Sequence, residues 1–281
     1  MREYVETVAD AYNEFSRELL NKVDAGKSVH GTFEITDAHI TILHNKRQQH
    51  HIISKRRKQS KRYIAAELLW YLSRSRRVDF IGKYANKWNT ILNEHNEVES
   101  NYGYWMFSSD AGRQWQNVVS LLQRSPDTRR AQIMLSPNRS QLDAFNIKDL
   151  QCTIYLGFQV RDGELDMFTR MRSNDVVFGF GNDAPVFMTL QELMALQLGV
   201  KVGRYHHAAD SLHVYINDID RLDTESTAGT LFAEPTAADV KVFEWLTIYD
   251  NKTISPVKAL ELFKLTESNL FNSVYNLIGG E

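Results

Sequence analysis

The residues best equipped for chemistry lie in order along one stretch between positions 152 and 215. Cys152, the only cysteine of the chain, precedes a β-rich run that turns at Asp162-Gly163 and returns to Arg172-Ser173-Asn174-Asp175. Gly179-Phe180-Gly181-Asn182-Asp183 and then Ser211-Leu212-His213-Val214-Tyr215 follow. A thiol is a nucleophile once it is a thiolate, and cationic neighbours favour that form. Arg172 and the pair Arg129-Arg130 are the cations that the sequence offers, and guanidinium groups also grip phosphate in a bidentate manner. A carboxylate and a polar His/Tyr pair complete a set that fits covalent chemistry on a nucleotide base. Taken singly, each residue has a plainer reading: Cys152 as a buried structural thiol, Arg129 and Arg130 as a surface turn, and Asp183 as the N-cap of a helix starting at Ala184-Pro185.

These residues need a frame, and hydrophobic spacing supplies one. Val5, Val8, Tyr12, Phe15 and Leu19 recur at helical intervals and predict a helix over residues 3–21. Residues 32–43 alternate around Phe33, Ile35, Ile40 and Ile42 and read as strands. Residues 61–73 read as a buried helix, and Trp115 to Leu122 as another, stopped by Pro126. Ile133 to Leu135, Thr153 to Val160 and Glu164 to Met171 read as strands, the last two joined by an Asp-Gly turn. Residues 186–198 are expected to be helical, Leu212 to Ile216 to be a short strand, and helices to fill the chain from about 237. Without a regular βαβ repeat, this order predicts an α+β fold with helices packed on a largely antiparallel or mixed sheet.

Composition limits the function. Of the 281 residues, 43% are hydrophobic and 24% charged, with five prolines and no Pro-, Gly- or Ser-rich linker, which predicts one globular domain over 1–281. The N-terminus lacks an apolar signal core and no run of about 18 apolar residues occurs, so no membrane association is expected. A lone cysteine cannot form an internal disulfide, which points to a reducing, cytoplasmic setting. The net charge of −2 argues against a nucleic-acid polycation. Lys46, Arg47, Lys55, Arg56, Arg57, Lys58, Lys61 and Arg62 nevertheless form a run without an acid, either a solvated loop and helix start or an electropositive rim for an anionic ligand.

Six motifs, taken in order, resemble the thymidylate synthase superfamily over roughly residues 60–220. Ala66-Glu67-Leu68-Leu69-Trp70 resembles its Glu-Leu-Leu-Trp helix, Tyr102-Gly103 falls in place, and Pro126-Asp127-Thr128-Arg129-Arg130 resembles its Arg-Arg loop. Cys152 stands at its nucleophile, Arg172-Ser173-Asn174-Asp175 at its Arg-Ser-x-Asp segment, and His213-Val214-Tyr215 at its His-x-Tyr. The pattern is closer still to the bacteriophage deoxycytidylate 5-hydroxymethylases, in Ser100-Asn101-Tyr102-Gly103, in Met171 to Phe180 and in Ser211 to Tyr215. The resemblance implies a thymidylate synthase-like fold and a homodimer in which Arg129 and Arg130 reach the partner's site. It also implies 5,10-methylenetetrahydrofolate as co-substrate, no metal, and a pyrimidine nucleoside monophosphate as substrate.

By the same resemblance, Cys152 adds to C6 of the base, which makes C5 able to take up a one-carbon unit. Glu67 is the general acid/base and Tyr102 belongs to the network for removal of the C5 proton. Arg129, Arg130, Arg172 and Ser173 hold the phosphate, His213 and Tyr215 the sugar, Asn182 and Asp183 the base, and Asp175 and Trp88 the folate. Asp183 departs from thymidylate synthase, where Asn matches the acceptor and donor of uracil; a carboxyl suits the amino group and bare N3 of cytosine. Other departures are Thr153 in place of His after the nucleophile, no Arg loop near residues 25–35 (only Lys27), and no closing tail at Asn276 to Glu281. The missing tail, which the phage hydroxymethylases also lack, favours hydroxymethylation over methylation. The expectation is conversion of dCMP or CMP to its 5-hydroxymethyl form. The alternatives are a dUMP-using methylase or hydroxymethylase and an inactive nucleotide- or RNA-binding relative.

Overall fold

The computed structural model describes residues 3–43, 50–136, 148–248, 255–264 and 267–279. Lys46 and Arg47 of the basic run, and the last two residues of the tail, lie outside them. Seven strands make one mixed sheet. β1 (Glu3–Val5) runs parallel to β2 (Thr32–Ile42), which is antiparallel to the long β8 (Lys201–Tyr215). On its other side β8 pairs parallel with β6 (Glu164–Met171), and β5 (Thr153–Arg161) and β4 (Gln132–Met134) continue the sheet antiparallel. The short β7 (Asn174–Asp175) extends the line of β6 along β8, opposite Leu212 and His213. A separate ribbon pairs β3 (His51–Ile53) with β9 (Thr227–Gly229). The expected α+β architecture with a mixed sheet is what the chain adopts.

Two helices that are apolar on all sides lie at the centre, as such helices must. α2 (Lys61–Ser73) buries every residue from Ile64 to Leu72, including Glu67. α5 (Gly181–Leu198) buries nearly all of its length beside α2. The amphipathic α1 (Val8–Asp24) covers the sheet at β2, and α3 (Tyr102–Phe107) and α4 (Gln114–Arg124) close the side toward β4. α6 (Ala237–Ile248), α7 (Pro256–Phe263) and α8 (Asn269–Ile278) pack against α2. Along β8, Tyr205, His207 and Ala209 are buried, whereas Arg204 is exposed and His206 and Ala208 are half-open on the opposite face.

Three expected boundaries change, each for a physical reason. The helix expected over 3–21 begins only at Val8, because Glu3 to Val5 pair with Ile40 to Ile42. Thr7 then starts the helix with a reciprocal cap, accepting from Asp10 N at 3.2 Å while Asp10 Oδ2 accepts from Thr7 N at 3.0 Å. The helix expected over 186–198 begins earlier, at Gly181, with Pro185 inside it. Proline leaves the Gly181 carbonyl without a helical donor, and the Gln59 side-chain amide donates to it instead. Asp183 therefore sits in the first turn and does not cap the helix, so the plainer reading of that residue is set aside. The short strand expected at 212–216 is the end of a strand that starts at Lys201; polar residues from Arg204 to His207 concealed the alternation.

Gly103 is required by space. A methyl group there would lie 1.7 Å from the Tyr71 carbonyl oxygen, so α3 touches the end of α2 backbone to backbone. Gly103→Ala is expected to cost at least about 1–3 kcal/mol of stability through forced separation of the helices, read from urea unfolding midpoints. Unchanged stability would show that the contact can open freely.

Candidate active site

The β5–β6 hairpin brings Cys152 beside Arg172. Asp162 and Gly163 both adopt positive φ, 51° and 77°, the conformation that a two-residue turn of this kind demands. That register brings Arg172 opposite Cys152, with Arg172 N donating to Cys152 O at 2.8 Å. The guanidinium then holds the preceding loop, donating from Nε to Gln151 O at 3.0 Å and from Nη2 to Leu150 O at 2.8 Å. Nη2 also lies 3.8 Å from Cys152 Sγ. Cationic neighbours favour a thiolate, but burial outweighs them here. Burial pushes the thiol up to about 11, Arg172 opposes the rise, and the carboxyls of Asp183, Asp149 and Asp175 add to it. Cys152 keeps part of its surface open, so it is accessible as a thiol rather than held as a thiolate.

Two buried carboxyl groups act on each other's surroundings here, Asp183 close enough to be felt by this thiol and Glu67 close enough to be felt by Asp183. Glu67, in the middle of α2, is 3% exposed and accepts from Tyr63 OH at 2.9 Å. Tyr63 OH in turn accepts from Trp88 Nε1 at 3.1 Å, which ties the Trp88 ring to Glu67. Burial raises Glu67 to about 7 against the pull of the Tyr63 and Tyr71 hydroxyls. Asp183, from the first turn of α5, is raised well above the ordinary carboxylate range by burial and then by the charge of Glu67. Its Oδ2 accepts from Asn174 Nδ2 at 3.1 Å. Tyr102 OH accepts from Thr153 N at 3.1 Å, beside the nucleophile. Burial, with Cys152 and Asp183 close by, pushes its phenol well up, so it stays protonated.

At the mouth, Asp175 closes the turn Val176–Phe180, accepting from Val177 N at 2.9 Å and Phe178 N at 3.2 Å. Burial raises its carboxyl, and the neighbouring His213 is among the groups that oppose this. His213 is buried, and its ring meets the half-exposed Tyr215 edge to face at 5.2 Å. Phe178, 51% exposed, presents a flat apolar face there. Ser173 is half-buried between β6 and β7.

Not every candidate joins the cluster. Arg129 and Arg130 are exposed on the turn between α4 and β4, and their guanidinium groups make no bond among the described residues. The Asn182 side chain gives its Oδ1 to Arg57 Nη2 at 3.0 Å. Arg57 also corrects the reading of its run as a solvated loop. It is 3% exposed, donates to Val177 O, and depends on Gly181, where a methyl group would meet its guanidinium at 2.4 Å. Its neighbours Lys55, Arg56 and Lys58 remain exposed. Tyr63, Asn174, His207 and Phe178 carry no role in the sequence pattern, yet the structure places them in or beside this cluster. Their only signals were a tyrosine one turn before Glu67 and an asparagine nine residues before Asp183. Among the described residues, no group of three or more His, Cys, Asp or Glu could hold a metal, and no helix is long and apolar enough to cross a membrane.

A family model of thymidylate synthase matches residues 10–241 of this chain. The deoxycytidylate 5-hydroxymethyltransferase of Enterobacteria phage T4 is 34% identical over 164 residues, 54% of this chain and 66% of that protein. The deoxyuridylate hydroxymethyltransferase of Bacillus phage SP01 is 33% identical over 176 residues, 58% of this chain and 45% of that protein. The chain thus spans between about half and two thirds of the length of these curated relatives. Among solved structures, the thermostable thymidylate synthase A from Bacillus subtilis superposes with a TM-score of 0.63 at 21% identity, over 81% of this chain and 86% of that one. That likeness shows the fold.

Because Cys152 is the only thiol, its ionisation can be read directly. Alkylation by iodoacetamide should stay slow at neutral pH and climb toward an apparent pKa of about 11 in the folded protein. The unfolded chain should titrate like a free thiol, lower on the scale. A folded-state value below that of the unfolded chain would show that Arg172 outweighs burial.

Proposed function

The chain belongs to the thymidylate synthase family, and we propose that it is a one-carbon transferase that hydroxymethylates C5 of a cytidine nucleotide, dCMP or CMP. The observation that carries this reading is the Asp183 carboxyl. Burial and then the charge of Glu67 raise it well above the ordinary carboxylate range, which favours its neutral form, and Asn174 holds it at the position where an amide would match uracil. A carboxyl that brings its own proton can donate to N3 of cytosine while its second oxygen accepts from the 4-amino group. The resemblances to phage hydroxymethyltransferases at about one third identity support the reaction class. One of those relatives is named for deoxyuridylate, which keeps a uridine nucleotide as the second reading.

The residues supply the chemistry as follows. The Cys152 thiol is protonated at rest, so it loses its proton as it attacks C6. Electron density pushed toward N3 is met by the proton on Asp183, and C5 becomes the nucleophilic carbon. 5,10-Methylenetetrahydrofolate, when bound, supplies the one-carbon unit. The residues at the mouth fit such a ligand. Phe178 and Trp88 offer flat faces to its rings, and the Asp175 oxygens, each with one backbone donor, keep lone pairs for amino groups. Glu67, poised at about 7, can take up or return a proton near neutrality, and Tyr102 stands by the nucleophile to relay the C5 proton.

Arg172 and Ser173 are the proposed phosphate contacts within the subunit, with His213 and Tyr215 at the sugar; Asn182, held by Arg57, is not part of the proposed base contact. The exposed guanidiniums of Arg129 and Arg130 suit a homodimer in which each subunit completes the other's phosphate site. The half-open outer face of β8 offers it a surface.

The direct test is product identification. The protein is incubated with methylenetetrahydrofolate and, separately, CMP, dCMP, UMP and dUMP, and the products are weighed by mass spectrometry. A cytidine nucleotide heavier by one CH2O group is the expected outcome. A methylated uridine nucleotide as the sole product would contradict the proposal.

A further inference from the structure

Asp183 is the near end of a buried chain of polar side chains. Asn174 Nδ2 donates to Asp183 Oδ2 at 3.1 Å, and Asn174 Oδ1 lies 3.1 Å from His207 Nε2. His207 Nδ1 lies 3.2 Å from Tyr205 OH. Asn174, His207 and Tyr205 are 2%, 1% and 0% exposed. Parallel pairing of β6 and β7 with the single strand β8 brings them together from two distant segments. Gly179 makes the room, since a methyl group there would sit 2.6 Å from Asn174 Nδ2.

In so dry a place each atom's role fixes the next. With the Asn174 NH2 toward Asp183, its oxygen faces His207 and needs Nε2 to carry the ring hydrogen. The His207 ring is neutral, because burial pushes it down to about 3, so it has one N–H and no more. Nδ1 is then a lone pair, and the Tyr205 hydroxyl donates to it. Turning the amide over would reverse all three roles.

Direction matters because a neutral carboxyl is ambiguous. It has one donor and one acceptor oxygen, and in one order they match cytosine, in the other uracil. The Asn174 N–H that points at Oδ2 makes that oxygen the acceptor and leaves the proton on Oδ1. We propose that Asn174 and His207 are positioning residues that fix which Asp183 oxygen donates and which accepts, Oδ1 to ring N3 and Oδ2 from the 4-amino group, and so set the choice of cytosine over uracil. The inference rests on the reading of Asp183 as the residue that recognises the base.

The test compares kcat/KM for the cytidine and uridine nucleotides in four proteins: wild type, Asp183→Asn, His207→Phe and His207→Gln. Phenylalanine keeps a ring against Phe180, whose centroid lies 4.9 Å from that of His207, but offers no N–H. His207→Phe should lower the cytidine-to-uridine ratio roughly tenfold, the scale expected when a hydrogen-bonded site loses its ordering partner. His207→Gln, with an amide N–H near the place of Nε2, should restore part of the ratio, which repair of packing alone would not do. Asp183→Asn should move the ratio toward uridine. If Asp183→Asn shifts the ratio and His207→Phe leaves it alone, the positioning role is overturned and the base-recognition reading stands. If Asp183→Asn also leaves it alone, both fall. Nitrogen-15 NMR of the wild-type imidazole needs no variant to fold: hydrogen on Nε2 is expected, and the opposite tautomer overturns the proposal.

Discussion

Two carboxyl groups sunk in the same low-dielectric floor cannot both be ionised, and the site follows from that constraint. Burial raises Glu67 to about 7, and burial together with the charge of Glu67 raises Asp183 well above the ordinary carboxylate range. The surroundings divide the remaining protons. Tyr63 opposes the rise at Glu67 and leaves it near neutrality, able to exchange a proton in either direction. Asp183 accepts from the Asn174 amide, and burial with the charge of Glu67 favours its neutral form. The proposed division of roles, Glu67 as general acid/base and Asp183 as a neutral hydrogen-bonding group, follows from these surroundings although the two side chains differ by a single methylene.

The same dryness acts on the nucleophile. Arg172 touches Cys152 Sγ at 3.8 Å, yet the thiol stays protonated because desolvation outweighs one partly engaged guanidinium. A thiolate would then exist only as it forms a bond, which protects a lone reactive cysteine from side reactions. The arrangement needs two buried helices, α2 and α5, to exclude water, and the start of α5 is irregular for that reason. Pro185, Gly181 and the turn at Val176–Phe180 leave carbonyls unpaired, and Arg57 and Gln59 from the loop before α2 donate to them. One part of the basic run thus holds the floor together rather than facing solvent.

Much of this was legible in the sequence because it is local or motif-borne. The hairpin announced itself through Asp162-Gly163 between two alternating runs, and α2 and α4 through their apolar spacing. What failed depended on partners far away in the chain. Glu3 to Val5 continued a helical period but found a strand edge. Pro185 reads as a helix start, since nothing local shows that Gln59, 122 residues before Gly181, supplies the missing donor. The order Asn174–His207–Tyr205 was invisible because its members meet only through parallel pairing to β8. For the thiol the sequence shows both a cation, Arg172, and a β-rich buried setting, but not which outweighs the other; burial is the larger effect.

The central claim is that Cys152 adds covalently to C6 and so loosens the hydrogen at C5. The most direct measurement is release of tritium to water from a cytidine nucleotide labelled at C5, with nucleotide binding followed in parallel. The account predicts release by the wild-type protein and none by Cys152→Ala, with binding retained through Arg172 and its partners. Undiminished release from the alanine variant would contradict it.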